Sequence, residues 1–255
     1  MSIVNKPDAY YDADEGVERY LLHSMQPEVE AMFDTILDGG PPVRRLLDVG
    51  CASGRTSIFT KSRGVTELVG IEQDPRGCEL ARQYMDRVIE GDVCTVDVGV
   101  PPGYFDAIFL TDILEHVYDP WTTLARYAQL VQTDGHLVVV LPNAGHVHVA
   151  LGLLGGDFRY TQSGILDSGH IRFFTLKSAQ ELLDGAGLTV CGQHLRMDQN
   201  WEAASSSPAL TFFDGAIKLL FDDAKLPPGL RQTHFARKLN FLCQRKVEHP
   251  ANNLG

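Results

Sequence analysis

Leu46-Leu47-Asp48-Val49-Gly50-Cys51-Ala52-Ser53-Gly54-Arg55 runs from an apolar strand through one acid into a turn of small residues that opens a helix. Gly50 and Gly54 lack a Cβ, so the backbone there can approach a ligand closely, while the first N–H groups of the following helix have no partner inside it. A strand, a tight cradle and a helix in that order are the unit of a parallel sheet. A dinucleotide turn wants G-x-G-x-x-G, and Cys51, Ala52 and Ser53 between the two glycines disfavour a nicotinamide-dependent oxidoreductase.

The pattern continues. Strand periodicity at 45–49, 67–71, 87–90, 105–110 and 136–141 alternates with helical spacing at 56–62, 76–85, 120–131 and 177–186. Strands alternating with helices predict a parallel sheet with helices on both faces. Residues 188–196 and 235–246 can add two more strands. Apolar residues at helical spacing over 27–37 stop at Gly39-Gly40-Pro41-Pro42, so residues 1–40, with Tyr10, Tyr11 and Tyr20, are expected to form an N-terminal helix or lid. Residues 142–175 and 200–232 fall outside the alternation. The second contains an apolar amphipathic stretch, Pro208 to Phe221, which suits a core or dimer helix better than a substrate lid.

Composition narrows the classes of function. Asp and Glu total 33 against 22 Lys and Arg, a net charge of −11, which repels a phosphate backbone and argues against nucleic acid. No apolar run has membrane-spanning length, and Met1 to Lys6 lacks a signal-peptide pattern, so a cytoplasmic protein away from membranes is expected. Five scattered cysteines without a C-x-x-C pair read as reduced thiols.

Asp48, Gly50 and Gly54 resemble the first motif of class I S-adenosylmethionine (SAM) dependent methyltransferases, acidic-x-Gly-x-Gly-x-Gly, with Ala52 in place of the middle glycine. Glu72 ends the second strand, where a carboxylate can accept from both hydroxyls of a ribose. The resemblance extends to Gly91-Asp92-Val93 after the third strand and to Phe105–Asp112 at the fourth. It implies a single methyltransferase domain over 1–255, a doubly wound, seven-stranded, mostly parallel sheet of Rossmann-like type, and helical lid insertions. The last two strands would pair antiparallel at one edge. It further implies a SAM site in which Asp48, Gly50, Cys51, Ser53 and Gly54 hold the methionine end, Glu72 and Gln73 the ribose, and Asp92 and Val93 the adenine. Thr111 and Asp112 would border the methyl group.

Methyl transfer from a sulfonium is an in-line displacement that needs a positioned acceptor and a sink for its proton. If Asp112-Ile113-Leu114-Glu115-His116 begins a helical turn, positions 112, 115 and 116 share a face. Gly164 to Thr175, with His170, resembles a signature of the ubiquinone-pathway O-methyltransferases and of sugar and metabolite methyltransferases. The similarity covers residues 27 to 196. It implies Glu115, His116 and His170 as the catalytic groups. In some relatives such residues hold a divalent metal, so Asp112, Glu115, His116 and His170 are an alternative Mg²⁺ or Mn²⁺ set, with Asp112 standing where the relatives have Glu. His146, His148, Tyr160 and Arg172 lie in the expected acceptor region.

The activity expected is methyl transfer to a small molecule, foremost a hydroxyl of a sugar or secondary metabolite. N-methylation and a non-catalytic SAM-binding module are the alternatives. The partners expected are the small-molecule acceptor and a second copy of the chain.

Overall fold

A computed structural model describes residues 27–197 and 233–246. The elements run α1 (Pro27–Gly39), β1 (Arg45–Val49), α2 (Ser57–Ser62), β2 (Glu67–Glu72), α3 (Pro75–Ala81), β3 (Arg87–Glu90) and β4 (Phe105–Thr111). After a 3-10 turn (Leu114–His116) come α4 (Pro120–Ala128), β5 (Val131–Pro142), α5 (Val147–Leu154), α6 (Leu176–Gly185), β6 (Leu188–Met197) and β7 (Ala236–Arg245). One seven-stranded sheet has the order β3-β2-β1-β4-β5-β7-β6. Strands β1 to β5 pair parallel, and β7 lies antiparallel between β5 and β6, as the resemblance implied.

Alternation along each strand divides the core in two. Leu47, Val49, Ile108, Leu110, Val139 and Leu141 face Leu124 and Tyr127 of α4 and Leu182 and Leu183 of α6. Their neighbours Leu46, Phe109, Val138 and Val140 face the other layer, with Phe33 of α1, Phe59 of α2 and Ala81 of α3. Period-2 strands with both faces apolar can be covered only by helices on both sides, hence the doubly wound arrangement.

Helix starts follow side chains that satisfy the first N–H groups. Asp74 accepts from Arg76 and Gly77 ahead of α3, Asp119 from Thr122 ahead of α4, and Thr175 exchanges hydrogen bonds with Ser178 in a capping box on α6. Such a cap stabilises by about 1 kcal/mol. Helix ends differ from the periodicity. α3 stops at Ala81 rather than continuing to Met85, and α4 at Ala128, where Leu130 N–H turns back to Tyr127 O at 2.9 Å and tightens the exit into β5. β5 accordingly starts at Val131, and its register against β4 shifts between Phe105 and Ala107.

Helix α1 packs into the core. Val29, Met32, Phe33 and Ile36 are buried, and the Phe33 ring meets Phe59 and Phe109 edge-on at 5.6 and 5.8 Å. The 142–175 insertion contains α5 and returns to the sheet through an Asn143–Phe174 bridge. Tyr10, Tyr11, Tyr20 and the 200–232 stretch lie outside the described residues. No described helix is long and apolar enough to cross a membrane.

Candidate active site

The strand order reverses between β1 and β4, and the carboxyl ends of those strands form the crevice where open α/β sheets bind ligands. The β1 turn begins there. Gly50 and Cys51 both donate to Ile71 O, at 2.8 and 2.9 Å, tying the turn to β2. Gly50, Ala52 and Gly54 all have positive φ, +73°, +49° and +78°. A Cβ on Gly50 would lie 2.0 Å from Ile113 Cδ1, and one on Gly54 would lie 3.0 Å from the Ala81 backbone. Ala52 therefore takes the left-handed conformation of a middle glycine while carrying a Cβ, which costs about 1 kcal/mol.

Three carboxylates line this edge. Asp48 is buried and accepts from Thr56 Oγ1 at 2.5 Å, so Thr56 serves the acid instead of capping α2. Burial pushes the Asp48 carboxyl up to about 6; the Thr56 bond pulls it down and the nearby Glu72 charge raises it. Glu72 bridges two segments: Oε2 accepts from Ala52 N–H at 3.0 Å, and Oε1 from Gln73 and Asp74 N–H at 2.9 and 2.8 Å. Burial raises its carboxyl, and the three main-chain donors oppose that. Asp92 follows β3, and its Oδ1 accepts from Cys94 N–H at 2.8 Å, closing a turn beside the buried Val93. Burial, reinforced by the Asp48 and Glu72 charges, pushes the Cys51 thiol up, so it stays a neutral wall of the cradle beside the buried Ser53.

Beyond Thr111, Asp112 has φ +56°, and its carboxylate meets Lys238 Nζ of β7 at 2.5 Å. The residues that follow form a 3-10 turn, not an α-helical one, and the four-residue set divides accordingly. Asp112 turns to Lys238, whereas Glu115, His116 and His170 come together, with ligating atoms within 4.8 Å of one another. All three are buried. The segment carrying His170 docks on the turn: Ile171 and Arg172 N–H donate to Glu115 O at 2.9 and 3.1 Å. His116 Nδ1 lies 2.9 Å from Gly169 O, and His170 Nδ1 lies 2.8 Å from Ile165 O. A carbonyl only accepts, so each Nδ1 carries the hydrogen and a neutral ring keeps its lone pair on Nε2. The rings pack edge to face at 4.8 Å, and His170 Nε2 is 4.0 Å from Glu115 Oε1.

The other acceptor-side residues separate. His146 is buried, with Nδ1 accepting from His148 N–H at 3.1 Å at the start of α5, while His148 and Tyr160 are exposed. Arg172 donates to Tyr118 O and stacks over Trp121 at 5.7 Å. Lys238, Thr56 and Asn143 carry site geometry that sequence reasoning missed. Asn143 is buried and donates to Thr233 O and Ala236 O at 2.6 and 2.8 Å, fastening the start of β7 to the end of β5. An Asn directly after the apolar run Leu137–Pro142 was the available signal.

The glycine turn at the switch point and the buried acid and histidine cluster beside it lie on the fold of a SAM-dependent methyltransferase, and the comparisons place the chain in that class. The chain belongs to the family described as Methyltransferase domain, which it matches over residues 17–193. A ubiquinone biosynthesis O-methyltransferase of Cereibacter sphaeroides is 26% identical over 183 residues, covering 66% of this chain and 73% of that protein. A SAM-dependent methyltransferase structure from Archaeoglobus fulgidus superposes with a TM-score of 0.60 at 14% identity, covering 91% of this chain and 100% of that one. The Burkholderia thailandensis 1,6-didemethyltoxoflavin N1-methyltransferase gives 0.56 at 16%, covering 94% and 85%.

Proposed function

We propose that the protein transfers the methyl group of SAM to a hydroxyl of a small molecule, a sugar or other metabolite, with His116 and His170 handling the proton. The observation that carries the reading is the pair of histidines. Both rings are oriented by Nδ1–H bonds to main-chain carbonyls and are packed against buried Glu115. In the reaction the acceptor oxygen forms a bond to the methyl carbon as the carbon–sulfur bond breaks. The bonding pair stays on sulfur, giving S-adenosylhomocysteine, and the hydroxyl proton passes to an imidazole Nε2. Asp48 and the Gly50–Gly54 turn take the methionine end, with Cys51 and Ser53 as its walls. Glu72 and Gln73 take the ribose, Asp92 and Val93 the adenine, and Thr111 borders the methyl group.

One carboxylate and two imidazoles also suit a divalent ion, and their fixed Nδ1–H groups are the orientation that ligating histidines have. A set with two nitrogens favours Mn²⁺ over Mg²⁺, which takes oxygen ligands. There Glu115, His116 and His170 would hold it, and it would supply a charge that acidifies an acceptor hydroxyl. The sequence similarity to an O-methyltransferase supports oxygen as the acceptor atom.

Incubation of the protein with [methyl-³H]SAM and a panel of sugars, catechols and amines tests the reading by product analysis. A methyl ether formed by the wild type and lost in His116→Ala and His170→Ala is expected. A methylated amine as the sole product would move the acceptor to nitrogen. Undiminished turnover in the double histidine variant would overturn the assigned chemistry.

A further inference from the structure

The five residues after β4 reach both the cofactor turn and the acid and histidine cluster, and a side chain from two strands away holds the first of them. Asp112 N–H still donates to Val140 O at 3.2 Å, completing the β4–β5 ladder, and the left-handed backbone at that residue then lifts the chain off the sheet. Ile113 lies over Gly50 of the cofactor turn. Glu115 and His116 join His170, and Glu115 O receives the Ile171 and Arg172 amides. The conformation at Asp112 therefore sets the placement of both the cradle wall and the acid and histidine cluster.

Lys238 is what Asp112 is seen to bind. It lies on β7 in register with Pro142 of β5 and Arg196 of β6, so its side chain spans the end of β5 to reach a residue that follows β4. Immobilising a long lysine side chain costs rotamer entropy that an ion pair of this partial exposure does not fully return. Stability alone does not account for the placement. We propose that Lys238 is a positioning residue of the methyl-transfer site, acting through Asp112 to fix the turn that carries Ile113, Glu115 and His116. The inference rests on the reading of Glu115, His116 and His170 as the acceptor-side groups.

The test uses the 255-residue chain with S-adenosylhomocysteine, as wild type, K238M, K238R, D112N and K238M/D112N. Two readouts are compared: the ring ¹⁵N shifts of His116 and His170, and amide hydrogen exchange at Ile171 and Arg172. K238M and D112N are each expected to speed exchange at those two amides by about tenfold or more and to shift both histidine spectra. The double variant should add little to either single one, because both break the same link. K238R should stay within about threefold of wild type, since a guanidinium restores the charge.

Unchanged histidine spectra in K238M would overturn the proposal. So would effects that multiply in the double variant, or an equal rise in exchange at Phe109 and Val139 in the core. These readouts need no acceptor, so a failure of the histidine chemistry would show in the turnover of the histidine variants and leave the positioning result standing.

Discussion

The Thr56 hydroxyl donates to a buried Asp48 carboxylate whose ionisation is displaced to about pH 6. The folded chain holds that proton more tightly than the unfolded chain, so this group lowers stability as pH rises from about 4 to above 6. The cost at neutral pH is up to about 3 kcal/mol. Without cofactor, Asp48→Asn should melt at a higher temperature than wild type at pH 7.5, with the difference fading near pH 4. Calorimetry should show the opposite for binding. SAM affinity of the wild type should fall by up to about tenfold per unit below pH 6, and Asp48→Asn should bind weakly throughout.

Gly50 and Ala52 share a backbone conformation but respond to opposite changes. Gly50→Ala would place a Cβ 2.0 Å from Ile113 Cδ1 at φ +73°, so SAM binding should be lost and thermal stability reduced. Ala52→Gly relieves a left-handed alanine and should stabilise by roughly 0.5–1 kcal/mol, read from urea midpoints at pH 7.5. A lower midpoint for Ala52→Gly would contradict the φ of +49°.

Glu72 joins the end of β2 to the β1 turn through three main-chain donors. Glu72→Gln keeps one acceptor oxygen and turns the other into a donor facing N–H groups. Chemical denaturation should register a loss of about 1–3 kcal/mol, and SAM binding should weaken with it. Equal stability of the two proteins would mean that the bridge contributes nothing.

Co²⁺ is a probe of the Glu115, His116 and His170 cluster. Its visible spectrum should change on binding to wild type and stay that of the free ion with His116→Ala or His170→Ala. Glu115→Gln should weaken the site at least about tenfold. Turnover that survives thorough chelation and is unaffected by added Mn²⁺ would leave the histidines as proton acceptors without a metal.

Features written into short stretches of sequence were legible. Short runs of consecutive apolar residues gave the strands and their two buried faces, and the Asp48–Gly54 turn and Glu72 lie together at the carboxyl edge. The Asp112–Lys238 pair was not legible, because its partners stand 126 positions apart and only the strand order brings them together. The helical spacing at 27–37 described an amphipathic helix but could not say that its apolar side meets Phe59 and Phe109. The same limit applies at residues 112–116. One face of an α-helix was the local reading, and a left-handed residue followed by a 3-10 turn aimed Asp112 away from Glu115 and His116.

The buried carboxyls Asp48 and Glu72 lie at this edge of the sheet, and when ionised they attract a cation into a chain whose net charge is already −11. SAM enters with a positive sulfur, and S-adenosylhomocysteine leaves with a neutral one. On the proposed reaction, methyl transfer removes the charge that ionised carboxylates attract, so S-adenosylhomocysteine should bind less firmly than SAM above about pH 6. Added salt should narrow the difference between the two affinities, because screening acts on the cation and not on the thioether.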